Sequence, residues 1–135
     1  MELVDCERDR SQSYQVGERA TRELLKNADV FLFPTFYEGF GIPILEAQSV
    51  GVPVVAGNNS SIPEIVSDRR DAQLYVSTLL VDPMNAESIA DAAYKLISDK
   101  ALRDDIIKKG YENVKRFSWE KCAKQIAKVL LNGNK

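Results

Sequence analysis

Apolar positions change their spacing several times along the chain, and each change marks an element. From Val16 to Asn27, VGERATRELLKN has helical composition, with Ala20, Leu24 and Leu25 on one face. The run Val30 to Phe33 is apolar on every side and stops at Pro34, the pattern of a strand covered on both faces. Pro43 to Val50 reads as a helix. Proline near its first position loses no needed N–H, and Gly51 suits a left-handed C-terminal residue. Val52 to Ala56 is a second buried strand, so strand, helix and strand form a βαβ unit with parallel strands.

Beyond it, Ser61 followed by Glu64 has the capping-box spacing and predicts a short helix. Ser67 to Thr78 is charged and weakly patterned, as an exposed loop would be, and Leu79 to Pro83 is a third short buried strand. Ile89, Ala92, Ala93, Leu96 and Ile97 then mark an amphipathic helix. Leu102, Ile106, Gly110 and Val114 mark another. Ser118 caps a last helix whose inner face is Trp119, Cys122, Ala123, Ile126, Val129 and Leu130, with Trp119 closing over the core.

The fold class that follows is α/β: a partial Rossmann-like parallel sheet of three to four strands with a helical C-terminal half. Residues 1–27 read as an atypical lead-in, with a short strand at Leu3 to Cys6 and one helix, and residues 28–135 as the domain itself. So few parallel strands bury both faces of a doubly wound sheet badly, and the chain reads as part of something larger.

Composition narrows the function classes. At 135 residues, with 44% hydrophobic and 28% charged positions, the chain is one soluble domain, neither disordered nor membrane-spanning. A formal net charge of −2 and no long basic stretch argue against nucleic acid as a partner. The absence of histidine removes a Ser-His-Asp triad, a Cys-His pair and histidine-ligated metal together. Cys6 and Cys122 match no metal spacing and are expected as reduced thiols. With no apolar run of spanning length, the cytoplasm is the expected compartment.

Candidate chemistry gathers in PTFYEGFG, the loop after the first strand, because ligands of open parallel sheets sit beyond the strands' carboxyl ends. Gly39 and Gly41 allow positive φ and a close ligand approach, and the helix start that follows attracts a phosphate. Glu38 and Glu46 then need a reason. A carboxylate can grip vicinal sugar hydroxyls, so two of them flanking a diphosphate suit a nucleotide-sugar. Spacing alone equally fits a surface glutamate and one that offsets the helix dipole.

The whole string NADVFLFPTFYEGFGIPILEAQSVGVPVVAGNNSSIPEIV closely resembles the donor-binding half of retaining glycosyltransferases of the GT-B fold, group 1 or family 4. The hallmark is Glu, seven residues, Glu: here Glu38, GFGIPIL, Glu46. The resemblance covers about Ala28 to Val66 and Leu79 to Leu130. It implies that Glu46 holds the ribose hydroxyls and that Glu38 lies against the donor sugar as the candidate catalytic residue. Gly39, Phe40, Gly41 and Ile42 complete the donor-binding set through the main chain around them. It further implies sugar transfer to a hydroxyl with anomeric retention, and neither a metal nor another cofactor.

Departures from the family pattern are equally specific. No segment before Ala28 matches the strand and loop whose Arg and Lys neutralise the diphosphate, and the acceptor-binding N-terminal domain has no counterpart here. Arg19 and Arg22 fall on a helix instead, and RRDAQLYVST lengthens a usually short link. The resemblance therefore implies an isolated chain that binds donor weakly and does not turn over. A full-length enzyme would be cytoplasmic or peripheral to the inner face of a membrane. Two alternatives stand beside it: a non-catalytic interaction module that self-associates through an open sheet edge, and a flavodoxin-like FMN binder.

Overall fold

The computed structural model describes residues 18–67 and 76–132. The expected strand at Leu3 to Cys6, and Cys6 itself, lie outside the described residues. Three strands, β1 (Phe31–Phe33), β2 (Val54–Gly57) and β3 (Leu79–Val81), pair in parallel in the order β1-β2-β3. Phe31 is level with Val54, and Val55 with Leu79. The helices are α1 (Glu18–Lys26), α2 (Ile42–Ser49), α3 (Ile62–Val66), α4 (Ala86–Ser98), α5 (Lys100–Val114) and α6 (Trp119–Asn132). The α/β class and the partial parallel sheet are those the sequence predicts. No helix among the described residues is long and apolar enough to cross a membrane.

Alternation along β2 divides the core. Val54 and Ala56 join Ile44 and Ala47 of α2 and Ile62, Ile65 and Val66 of α3 on one face of the sheet. Val55 turns to the other face, with Val81, Ala92 and Leu96 of α4 and Ile106 of α5. A strand buried on both sides must be apolar throughout, and β2 is. β1 is different. Leu32 remains 47% exposed, because α4 rests mainly on β2 and β3 rather than on this end strand. The two-sided cover expected of Val30 to Phe33 is thus corrected to one covered face, where Phe31 and Phe33 stack at 5.7 Å.

A buried polar seam fixes α2 against α5. Gln48 Nε2 donates to Ser77 O, Ser77 Oγ and Thr78 Oγ1, and Gln48 Oε1 accepts from Asn113 Nδ2 at 2.9 Å. Arg116 extends the seam, donating to Asn113 Oδ1 and Ser67 O. The stretch 67–78 is therefore not loop-like to its ends. Ser67 bridges Val76 in antiparallel fashion, and Ser77 and Thr78 are fully buried by their bonds to Gln48.

Caps account for the helical half. Asn85 accepts from Ser88 N at the start of α4, and Asp99 accepts from Leu102 N at the start of α5. Ser118 accepts from Lys121 N, as its capping role requires. Ile97 is 60% exposed, correcting its place on the inner stripe, since α4 rests on the line through Ala92 and Leu96. The larger correction is α6. Trp119 is 84% exposed and Ile126, Val129 and Leu130 are open to solvent, because no described helix or strand packs against the stripe. Cys122 is a free, exposed thiol.

Candidate functional site

The three strands point their carboxyl ends at one set of loops, 34–41, 58–61 and 82–85. Asn58 N donates to Val81 O at 2.8 Å and ties the end of β2 to that of β3, while Thr35 N turns back locally to Phe33 O. Asn59 Nδ2 crosses from the second loop to the first and donates to Thr35 O at 3.0 Å. Gly57 is level with that crossing. A Cβ there would stand 2.7 Å from Thr35 O, so glycine is what lets the two loops approach. Thr35 Oγ1 and Asn59 Oδ1 are buried here without a partner among the described residues, a mark of places that water or a ligand completes.

The first loop runs into α2 through Gly41, which sits at φ 97° and ψ 38° as the N-cap residue. No side chain caps this helix, and Pro43 in its first turn brings no N–H. Among the described residues no acceptor is paired with the main-chain N–H of Gly39, Phe40 or Gly41. Gly39 differs from the expectation of positive φ, which Gly41 and Gly51 adopt and Gly39 does not. Its contribution is open space: a Cβ there would meet nothing within 4 Å. Phe40 packs edge-to-face on Phe117 at 5.8 Å, and the Arg116 guanidinium lies 5.3 Å from the Phe117 ring centre. The middle of the loop is thereby anchored to the turn that follows α5.

Glu38 is partly exposed at the head of this loop, and Glu46 is exposed on α2. Neither carboxylate has a cation or hydrogen-bond donor among the described residues. Glu46 is the fifth residue of α2, and the first turn carries no acidic side chain. Dipole compensation fades within the first turn, so it accounts poorly for Glu46. Ile42, the first helical residue, is 49% exposed beside them.

Two residues that sequence reasoning placed elsewhere belong to this site. Ser60 Oγ donates to Glu38 O at 2.7 Å and accepts from Glu38 N at 3.4 Å. Ser61 Oγ donates to the same carbonyl at 2.8 Å. Ser61 stands at the N-cap position of α3 yet makes no side-chain cap bond, so the capping-box reading of Ser61 with Glu64 is corrected. Its hydroxyl is engaged 23 residues back instead. The adjacent hydroxyls of NNSSIPEIV were the available signal, but local spacing alone could not show a distant acceptor.

Comparison with known proteins gives a consistent neighbourhood. The family model described as Glycosyl transferases group 1 matches residues 13–113. The O-antigen chain mannosyltransferase B of Escherichia coli is 37% identical over 128 residues, covering 83% of this chain and 32% of that protein. The sucrose-phosphate synthase of Spinacia oleracea is 35% identical over 105 residues, covering 77% of this chain and 9% of its own length. This chain thus spans about a third or less of these relatives. Among solved structures, sucrose-phosphate synthase from Thermosynechococcus elongatus superposes with a TM-score of 0.66 at 30% identity, covering 78% of this chain and 25% of that one. HepE of Anabaena, solved with UDP-glucose, has the same fold at a TM-score of 0.72 and 24% identity, covering 84% of this chain and 30% of its own.

Proposed function

The chain belongs to the glycosyl transferases group 1, and from that membership we propose that this sugar-transfer domain holds a nucleotide-diphosphate sugar between Glu46 and Glu38. The observation that carries the reading is the composition of the α2 entrance. Unpaired amides at Gly39, Phe40 and Gly41 precede an uncapped helix start, with an unpaired carboxylate on either side. Amides and the helix dipole suit the diphosphate, while carboxylates accept from sugar hydroxyls. Glu46 takes the ribose and Glu38 the transferred sugar.

Transfer breaks the bond between the anomeric carbon and the diphosphate oxygen and forms one to an acceptor hydroxyl on the same face. The acceptor proton passes to the departing diphosphate oxygen. Glu38, near the developing positive charge of the sugar ring, stabilises it electrostatically. The isolated chain binds donor weakly and does not turn over, because no Arg or Lys of the described site faces the diphosphate. Each such charge-assisted bond is worth roughly 1.5–3 kcal/mol.

Calorimetric titration with UDP, GDP, ADP and their glucose or mannose conjugates tests this. One nucleotide binds, and Glu46→Ala weakens it at least tenfold. Binding of none, or binding indifferent to Glu46→Ala, overturns the reading. A second reading, an interaction module, draws on the uncovered stripe of α6 and predicts concentration-dependent self-association with no nucleotide affinity.

A further inference from the structure

Ser60 carries a positive φ of 54°, which among the described non-glycine residues it alone adopts. A non-glycine side chain held in that region is strained. Its neighbour Ser61, at the N-cap position of α3, makes no side-chain cap bond; the first N–H groups of that helix turn to main-chain oxygens instead, Ile62 N to Asn59 O and Glu64 N to Ser61 O. A strained residue and its unstrained neighbour thus both send a hydroxyl to the same atom, the carbonyl oxygen of Glu38, at 2.7 and 2.8 Å. Ser60 also receives the Glu38 N–H, so both main-chain groups of that residue are gripped from across the site.

We propose that Ser60 and Ser61 are positioning residues that clamp the main chain of Glu38. They thereby aim its carboxylate and the following amides of Gly39, Phe40 and Gly41. The inference rests on the donor-site reading for its purpose, and on the paired hydroxyls for its geometry. The clamp lies at the sugar end of the loop. Glu46, on α2, shares no hydrogen bond with it among the described residues and stays in place through the Gln48 seam on the same helix. Loss of the clamp accordingly weakens capture of the sugar and leaves capture of the nucleotide.

The test uses Ser60→Gly, which relieves the strain while deleting the hydroxyl, and Ser61→Ala, with Ser61→Thr as the variant that keeps a hydroxyl. Amide hydrogen exchange is followed across residues 38–41, alongside thermal unfolding and titration with UDP, GDP and their glucose or mannose conjugates. In Ser60→Gly/Ser61→Ala the loop amides exchange about tenfold faster, while the melting temperature of Ser60→Gly equals or exceeds that of the parent. Affinity for the conjugate falls about tenfold, affinity for the bare diphosphate stays within twofold, and Ser61→Thr matches the parent. Unchanged loop exchange in the double variant overturns the clamp. So does an equal loss of affinity for nucleotide and conjugate. If the parent binds no nucleotide, the donor-site reading fails, and loop exchange still decides whether the clamp exists.

Discussion

Asn113 Nδ2 donates to Gln48 Oε1 at 2.9 Å across 65 residues of sequence, and both side chains are almost completely buried. Gly110, one turn earlier on α5, makes the approach feasible, since a Cβ there would press on Gln48 Cγ at 3.2 Å. Removing Gln48 would strand Asn113, Ser77 and Thr78 in a dry interior. Gln48→Ala is expected to destabilise the domain by roughly 2–4 kcal/mol, counting a cavity and unsatisfied partners. Asn113→Ala should be milder. A double-mutant cycle by urea unfolding checks the coupling, and additivity would show that the two side chains do not act together.

Gly57→Ala sets a methyl group against the Thr35 carbonyl at a distance real contacts do not reach. The strand end must yield, at a cost of roughly 1–3 kcal/mol. Because Thr35 leads directly into the Glu38 loop, nucleotide-sugar affinity falls with stability. Thermal unfolding and titration of the same variant measure both.

Gly39 and Gly51 should respond oppositely to alanine. Gly51 has φ 79°, and a Cβ would meet the Tyr111 hydroxyl, so Gly51→Ala destabilises by about 1 kcal/mol or more. Gly39 meets nothing and has no positive φ, so Gly39→Ala leaves the melting temperature unchanged. On the proposed donor site its methyl would stand where the donor approaches, and conjugate binding is expected to weaken severalfold in a calorimetric titration.

Replacing Ile126, Val129 and Leu130 of α6 together with serine should alter the stability of this domain by no more than about 0.5 kcal/mol each, because none is buried within it. The same change at Ile44, Ile62 and Leu96 abolishes folding. Circular dichroism melts compare the two sets, and a large loss from α6 would mean the stripe is covered in solution.

Legibility in the sequence followed the range of the interaction. The β1-α2-β2 unit was readable because Pro43 and Gly51 punctuate it locally and Val54 to Ala56 are apolar without interruption. Glu38 and Glu46 were readable as candidates because one loop and the helix that follows it carry both. The seam of Gln48 was not, since its partners lie 29 to 65 residues away and polar side chains in a helix ordinarily face water. For α6 the periodicity marked a stripe suited to burial, and periodicity does not say what buries it. Ser61 was misread for a related reason. The hydroxyl of Ser61 is turned across the site to donate to Glu38 O, and Glu64 N is paired with the Ser61 carbonyl, so the local spacing did not give a cap bond.

The seam also governs the order in which the chain can become stable during synthesis. The α2 face that carries Gln48 is finished early, yet its partner Asn113 emerges 65 residues later, at some 5–20 residues per second. The Nε2 group of Gln48 finds Ser77 and Thr78 29 to 30 residues on, but its Oε1 has no partner until Asn113 arrives, so the buried seam is complete only with α5. Closure of the seam is accordingly expected to be shared: probes on α2 and on α5 should gain protection together.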